Sequence, residues 1–370
     1  MEWGTRVLAP QNLVRAYLVP DPDLGMAIGP NKRYLDTYLS DGAYEVRTNA
    51  AGMRMDEPAD MSPSRLRVPV YGDSFTFGWG LDTEKNYFHA LKRAAKKRAQ
   101  RLQLLNAGVG GYGTGHIKIL MSRHLPALKP AAVIYFFNCN DIVDNVVVDL
   151  DFRVSEMRNG DDGRPRLVDV RPFAPWKRFL LHYTPYGWLN QHSHLFVLAK
   201  QQLKRLLNWK TQVARPTIPD APTAATVESP AGAPAPLQIT PDAFDHTVLV
   251  SELHVRRLMA ITAAAGIPML IAWVPAPQEM APPPHPTGKT VLFEQSHAML
   301  ARVAAERADV GFVDTVELLR AGDAAHARQP GFRLSDGHFS AAGAAWYAEL
   351  AEAPVLAFLA GVVARAAPAK

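Results

Sequence analysis

Residues 68–80 read VPVYGDSFTFGWG, and this stretch decides the fold. Its opening residues close a short apolar run, LRVPVY at 66–71, and Gly72-Asp73-Ser74 follows at once. A serine placed between a buried strand and a helix-forming segment is either an ordinary turn residue or a hydroxyl delivered to a strand mouth. Catalytic groups of open α/β sheets gather at such mouths.

Four further apolar runs have the same form: LQLLNAG (102–108), AAVIYFFN (131–138), IPMLIAWV (267–274) and VGFVDT (310–315). Near-continuous apolar runs suit strands covered on both faces of a parallel sheet. Amphipathic segments of helix length lie between and after them, at 86–101, 114–128, 243–265, 291–306 and 340–360. The alternation predicts a three-layer α/β/α fold around a doubly wound, flavodoxin-like parallel sheet of five strands in the order 2-1-3-4-5. Pro69 sits inside the first run and cannot donate to a central ladder, so that strand is expected to be bulged or shorter than the run.

The gap between the third and fourth runs far exceeds one crossover helix, which makes 142–240 an insertion after strand 3. The α/β core is then 65–141 with 241–365, and 1–64 is an irregular lead-in rich in Pro, Gly and Asp with short strands. Within the insertion, VVVDLDFRV, GDDG and RPRLVDV predict a hairpin. Residues 176–210 are aromatic and basic, with no Asp or Glu from Arg171 to Pro219. They suit a helix packing its aromatics inward under a solvated cationic face, an interfacial surface for anionic membrane or acidic polysaccharide, or a lid over a pocket. Residues 211–240 are Pro/Ala-rich and read as a flexible linker.

Of the 370 residues 48% are hydrophobic and 20% charged, the balance of a folded chain able to bury a large core. A net charge of +5 without a matching motif does not argue for nucleic acid. Cys139 is the single cysteine, so no internal disulfide or cysteine-based metal site can form. His192 and His194 stand close together with no third ligand nearby, and no metal or organic cofactor is expected. The N-terminal residues lack a signal-peptide pattern and there is no run of 18 apolar residues, an expectation of a cytoplasmic protein. If the start is truncated, the cell envelope is the expectation instead.

Near the C-terminus, RLSDGHFSAAG places Asp336 and His338 in a loop ahead of the last helix. A serine hydroxyl is a weak nucleophile until a base takes its proton, and the base needs a third group to fix its tautomer. The oxyanion that follows also needs donors. NAGVGGYGTG (106–115) offers backbone N–H groups through its glycines, and FNCND (137–141) brings the Asn140 amide to the third strand's mouth.

Taken together, these four stretches resemble the signature blocks of the SGNH subgroup of GDSL-type esterases and lipases, in order. The extended GDSFTFGWG, with TNAAGMR (48–54) upstream, resembles a bacterial branch of that superfamily. The resemblance spans roughly 45–140 and 245–360. It implies Ser74 as nucleophile, His338 as base with Asp336 as its partner, and an oxyanion hole from the Ser74 and Gly111 N–H groups and the Asn140 amide, with Gly110 a competing donor to Gly111. Asn138 stands where the family usually has glycine, and Asp336 precedes His338 by two residues where three is commoner.

The implied activity is hydrolysis of an acyl ester, short-chain or acetyl because Phe75, Phe77 and Trp79 crowd the serine. The same machinery would serve an O-acyltransferase acting on a polysaccharide or cell-wall glycan, and a silent member of the fold would be a binding or scaffold protein. The G-x-G-x-x-G of Gly108, Gly110 and Gly113 lacks the acid expected about 20 residues on, which argues against a dinucleotide site.

Overall fold

The computed structural model describes residues 1–8, 13–37, 41–146, 153–160, 164–173, 175–207, 244–280, 288–321 and 333–366. The Pro/Gly/Asp-rich lead-in folds into a short helix, α1 (Glu2–Leu8), and two antiparallel hairpins: β1 (Leu18–Asp21) with β2 (Gly25–Ile28), and β3 (Arg33–Asp36) with β4 (Tyr44–Arg47). Tyr17, Tyr44 and Val46 close over Phe77, so these hairpins cover the turn that carries Ser74.

The five apolar runs form β5 (Leu66–Tyr71), β6 (Leu102–Asn106), β7 (Val133–Asn138), β10 (Met269–Val274) and β11 (Val310–Val313). All pair in parallel, in the order β6-β5-β7-β10-β11, which is 2-1-3-4-5 by chain order. Every residue of β7 and β10 is buried, as expected of strands covered on both faces. One face packs under α4 (Thr114–Leu128), α9 (Phe244–Ala264) and α11 (Gly288–Ala305). The other packs under α3 (Tyr87–Arg98) and the final helix, α13 (Ala341–Arg365).

By length and composition α13 is apolar enough to cross a bilayer. Its stripe of Ala344, Tyr347, Ala351, Val355, Leu359 and Val362 is instead buried against the sheet and α3. The small side chains let the helix approach closely, and each large one contributes about 1.5–3 kcal/mol by leaving water. It is a core helix.

Neither expectation for Pro69 holds. The β5–β6 register is continuous from Leu66↔Leu102 to Val70↔Asn106, with no bulge and no shortening. The Arg67 carbonyl accepts from Ala131 on the β7 side and the Val70 carbonyl from Ala107 on the β6 side. By alternation Pro69 faces β7, where pairing with β5 is confined to Val70↔Ile134 and Tyr71↔Tyr135. The missing donor falls where the ladder has not yet begun.

The insertion starts with α5 (Asp141–Asp144) and then forms the expected hairpin with a different first arm. The pairing is β8 (Ser155–Asn159) with β9 (Pro165–Asp169), extended by the Val170 N–H donating to the Val154 carbonyl; of the expected first arm at 146–154, residues 147–152 lie outside the described residues. Asp169 anchors it to the core, bonded to Lys118 of α4 at 2.6 Å and Arg257 of α9 at 2.7 Å. The basic aromatic stretch is three helices rather than one: α6 (Pro175–Tyr183), α7 (Tyr186–His192) and α8 (His194–Leu207). They attach to the N-terminal segment, where the Val14 N–H donates to Asn190 O and the Gln191 amide to Leu18 O. The linker expected at 211–240 lies outside the described residues. Between β10 and the end of the sheet the chain adds α10 (Pro277–Met280), and α12 (Thr315–Ala321) follows β11.

Candidate active site

Ser74 is the first residue of α2 (Ser74–Phe77), a single turn that leaves β5 at its carboxyl end. Gly72 makes the exit possible: a Cβ there would lie 2.0 Å from Thr76 Oγ1 and 3.0 Å from the Phe136 carbonyl. Asp73 caps the turn through the Phe75 N–H at 2.9 Å. Below it, the buried Arg54 guanidinium donates to the carbonyls of Phe77, Gly78 and Leu81, satisfying the acceptors α2 leaves open. Asn86 and Asn106 both donate to the Thr76 carbonyl, at 2.8 and 3.1 Å. The Ser74 backbone is therefore tied from three sides.

His338 reaches it from the far end of the chain. Its Nε2 lies 2.8 Å from Ser74 Oγ, and its Nδ1 lies 3.1 Å from Asp336 Oδ2, although that N–H is not aimed within hydrogen-bonding angle. The loop that holds both is self-braced. The Leu334 N–H donates to the His338 carbonyl at 2.7 Å, Arg333 bridges to Phe339, and Gly337 takes φ +91° between the two site residues. Burial pushes the His338 imidazole below its ordinary pKa; Asp336 offsets part of this and the nearby Arg333 cation adds to it. Burial would raise the Asp336 carboxyl, but bonds from the His338 N–H and the Trp79 indole, with the imidazole's charge, hold it below the usual range. A neutral imidazole beside an ionised carboxylate can accept the serine proton.

Of the proposed anion-stabilising groups, Asn140 lies beside Asp73 and Gly110, the competitor of Gly111, lies nearest Ser74. The Ser74 N–H is at the first helical position, where α2 offers no acceptor. Gly111 takes φ +81° with open space where a Cβ would stand, and a Cβ on Gly110 would come within 3.8 Å of the Ser74 Cβ. Asn140 caps the start of α5, its Nδ2 donating to Asp144 Oδ2 at 3.0 Å and its Oδ1 buried without a partner among the described residues. Asn138, where glycine is usual, uses its Oδ1 to accept from the Asn140 N–H at 3.2 Å and so braces that residue. A buried acid pair lies beneath. Burial, with Asp144 nearby, pushes the Asp73 carboxyl up to about 7, opposed by the Phe75 N–H and the Asn140 amide. Asp141 is also raised by burial and by Asp73; it accepts from the Tyr135 hydroxyl and the Asn138 N–H.

Two residues that sequence reasoning did not assign belong to the site. Trp79 donates from Nε1 to Asp336 Oδ2 at 2.9 Å and lies against the His338 ring at 5.9 Å between centroids. Arg333 donates to the carbonyls of Gly337 at 2.9 Å and Pro275 at 2.7 Å, with its cation 4.3 Å from the Phe339 ring centre. Trp79 lay inside the opening motif, where a large aromatic signalled only crowding; Arg333 carried no motif. A separate cavity of about 190 Å³ lies at the mouth of β6, lined by Leu24, Met53, Val109, Tyr112 and His124. Among the described residues no cluster of acids, histidines and cysteine is arranged to hold a metal.

No protein-family model matches the sequence, and no curated protein matches it either. Solved structures do. TesA is similar over 80% of this chain and 99% of its own, with 13% identity and a TM-score of 0.42. An acetyl xylan esterase, AlAXEase, is similar over 78% of this chain and 100% of its own, at 12% identity and a TM-score of 0.42. A lipolytic protein of the G-D-S-L family from Desulfitobacterium hafniense is similar over 78% and 98%, at 14% identity and a TM-score of 0.39.

Proposed function

We infer that this chain is a serine ester hydrolase. The observation that carries the reading is the 2.8 Å approach of His338 Nε2 to Ser74 Oγ across 264 residues of sequence. In the proposed reaction His338 takes the hydroxyl proton as Ser74 attacks an acyl carbonyl, and Asp336 steadies the imidazolium that forms. The Ser74 and Gly111 N–H groups receive the oxyanion, and Asn140 completes the hole by exchanging its bond to Asp144 for one to the substrate. His338 returns the proton to the leaving alcohol, and water then releases the acyl group from Ser74 by the same steps in reverse order. Short acyl groups are the expected substrates, because Phe75 and Trp79 flank the imidazole and crowd the approach to Ser74.

The test is labelling with a fluorophosphonate together with hydrolysis of nitrophenyl esters of graded chain length. Wild type should label and prefer acetate or butyrate, and Ser74→Ala should abolish both. Undiminished labelling of Ser74→Ala, or none of the wild type, overturns the reading. Supplying an acetyl ester with a glycan acceptor separates hydrolysis, which yields free acetate, from transfer, which yields an acetylated glycan.

A further inference from the structure

Exposed large apolar side chains are unevenly spread over this chain. Of the fourteen among the described residues, nine fall on α1 with its leading Met1 and on α6–α8. These four helices pack together: α1 against α8, α7 against both α6 and α8. Glu2 holds the assembly by accepting from the His194 N–H at 2.9 Å, the Leu195 N–H at 3.1 Å and the Ser193 hydroxyl at 2.6 Å, at the start of α8. The acid nearest the patch is therefore committed to capping.

The apolar residues follow helical spacing, but outward. On α6, Trp176, Phe179 and Tyr183 are all exposed at i, i+3 and i+7, and the last two rings stack at 5.5 Å. On α1, which has no buried residue, Trp3 and Val7 repeat the pattern at i and i+4. Trp188 of α7 is exposed as well and stacks on His192 at 4.8 Å. A helix of a water-facing fold turns such a stripe to the core. Here the stripe is presented, and cationic residues accompany it: Arg6 on α1, and Lys177 and Arg178 in a run with no Asp or Glu from Arg171 to Pro219.

We propose that α1 and α6–α8 form a docking surface for an anionic lipid bilayer. Tryptophan and tyrosine favour the headgroup boundary, where an apolar ring meets a polar edge, and Lys and Arg add attraction to anionic headgroups. Trp3 and Trp176 are the insertion anchors, and Lys177 and Arg178 supply the charge selectivity. An acidic polysaccharide would share the charge attraction, and the alginate arm below separates it from a bilayer.

The experiment uses the full chain and vesicles of phosphatidylcholine with and without phosphatidylglycerol, read by co-sedimentation and tryptophan emission. Binding with a blue shift is expected on the phosphatidylglycerol vesicles, weakening in high salt. Trp176→Ser with Phe179→Ser should lower the affinity by about tenfold or more, since two interfacial rings are withdrawn. Lys177→Gln with Arg178→Gln should remove most of the preference for phosphatidylglycerol. Trp176 and Phe179 are exposed and Lys177 and Arg178 half-buried, and both pairs should leave circular dichroism and solution hydrolysis of nitrophenyl acetate unchanged. The proposal is overturned by no vesicle binding, by binding that the aromatic pair does not alter, by retention on alginate without vesicle binding, or by a dimer in light scattering that the aromatic pair dissolves. Loss of esterase activity in every form would sink the hydrolase reading and leave this one standing.

Discussion

The indole of Trp79 and the carboxylate of Asp336 meet at 2.9 Å, and the oxygen that accepts the indole N–H is the one facing His338 Nδ1. Residues 257 positions apart in sequence thus fix the orientation of the carboxylate beside His338. Arg15 lies over the other face of the indole at 4.1 Å and holds the ring in place.

Replacing Trp79 with Phe keeps a ring and removes that donor. A hydrogen bond to an ionised group is worth about 1.5–3 kcal/mol, so kcat on nitrophenyl acetate should fall about tenfold or more with KM little changed. A variant with wild-type kcat would show that Asp336 needs no such tether.

Removing Asp336 itself should cost more. Asp336→Asn should lower kcat by about 10³–10⁴, because the amide cannot hold the imidazole in the required tautomer or steady its charge. Asn140→Ala should lower kcat by about 10²–10³ if its amide serves the oxyanion. An effect below threefold would leave Asn140 as a brace for α5.

The pH profile follows from His338. Its folded pKa lies below the ordinary 6.5, and the base acts when neutral. Activity should therefore rise as pH increases through a midpoint below 6.5 and stay level above it, until other groups titrate. A midpoint above 7 in kcat/KM would contradict the environment described for His338.

Arg54 gives a stability prediction. It is fully buried, and burial brings its pKa down to about 10; its partners are backbone carbonyls. Arg54→Met would leave several buried acceptors unmet at about 1–3 kcal/mol each, so denaturant melts should show a loss of about 3 kcal/mol or more. Activity should fall with it, because α2 loses the ties beneath Ser74.

His297 gives a pH-linked one. It lies between Asp314 at 2.6 Å and Glu279 at 2.9 Å, and although burial opposes the charge, the two carboxylates raise its pKa to about 9. Its contribution is fully present below pH 6.5 and is lost as pH rises through about 9. His297→Gln should cost about 3 kcal/mol at pH 6 and little at pH 10, by denaturant melts at both. An equal cost at both would mean that the charge contributes nothing.

The parallel sheet was legible because its strands are nearly uniformly apolar, and α4 was legible to the residue. The candidate stretches stood out because three follow strand ends and the fourth places an acid and a histidine in one loop; of these, Ser74, His338 and Asp336 do come together. The first arm of the β8–β9 hairpin was misplaced: apolar residues at 146–154 outweighed the polar Ser155–Asn159 that pairs. The aromatics of α6 were open to an inward reading because spacing identifies a stripe but not the direction it faces. Trp79, Arg54 and Arg333 act through carbonyls and carboxylates distant in sequence, so no local pattern could announce them.

Asp169 has a consequence for how such a chain changes over generations. One carboxylate at the end of β9 joins the appended hairpin to two neighbouring helices, α4 and α9, on one face of the sheet, while Ser74, Asp336 and His338 rest on other elements. A hairpin seated through Asp169 can change its outward side chains over generations and keep its place, so long as an acid stands there.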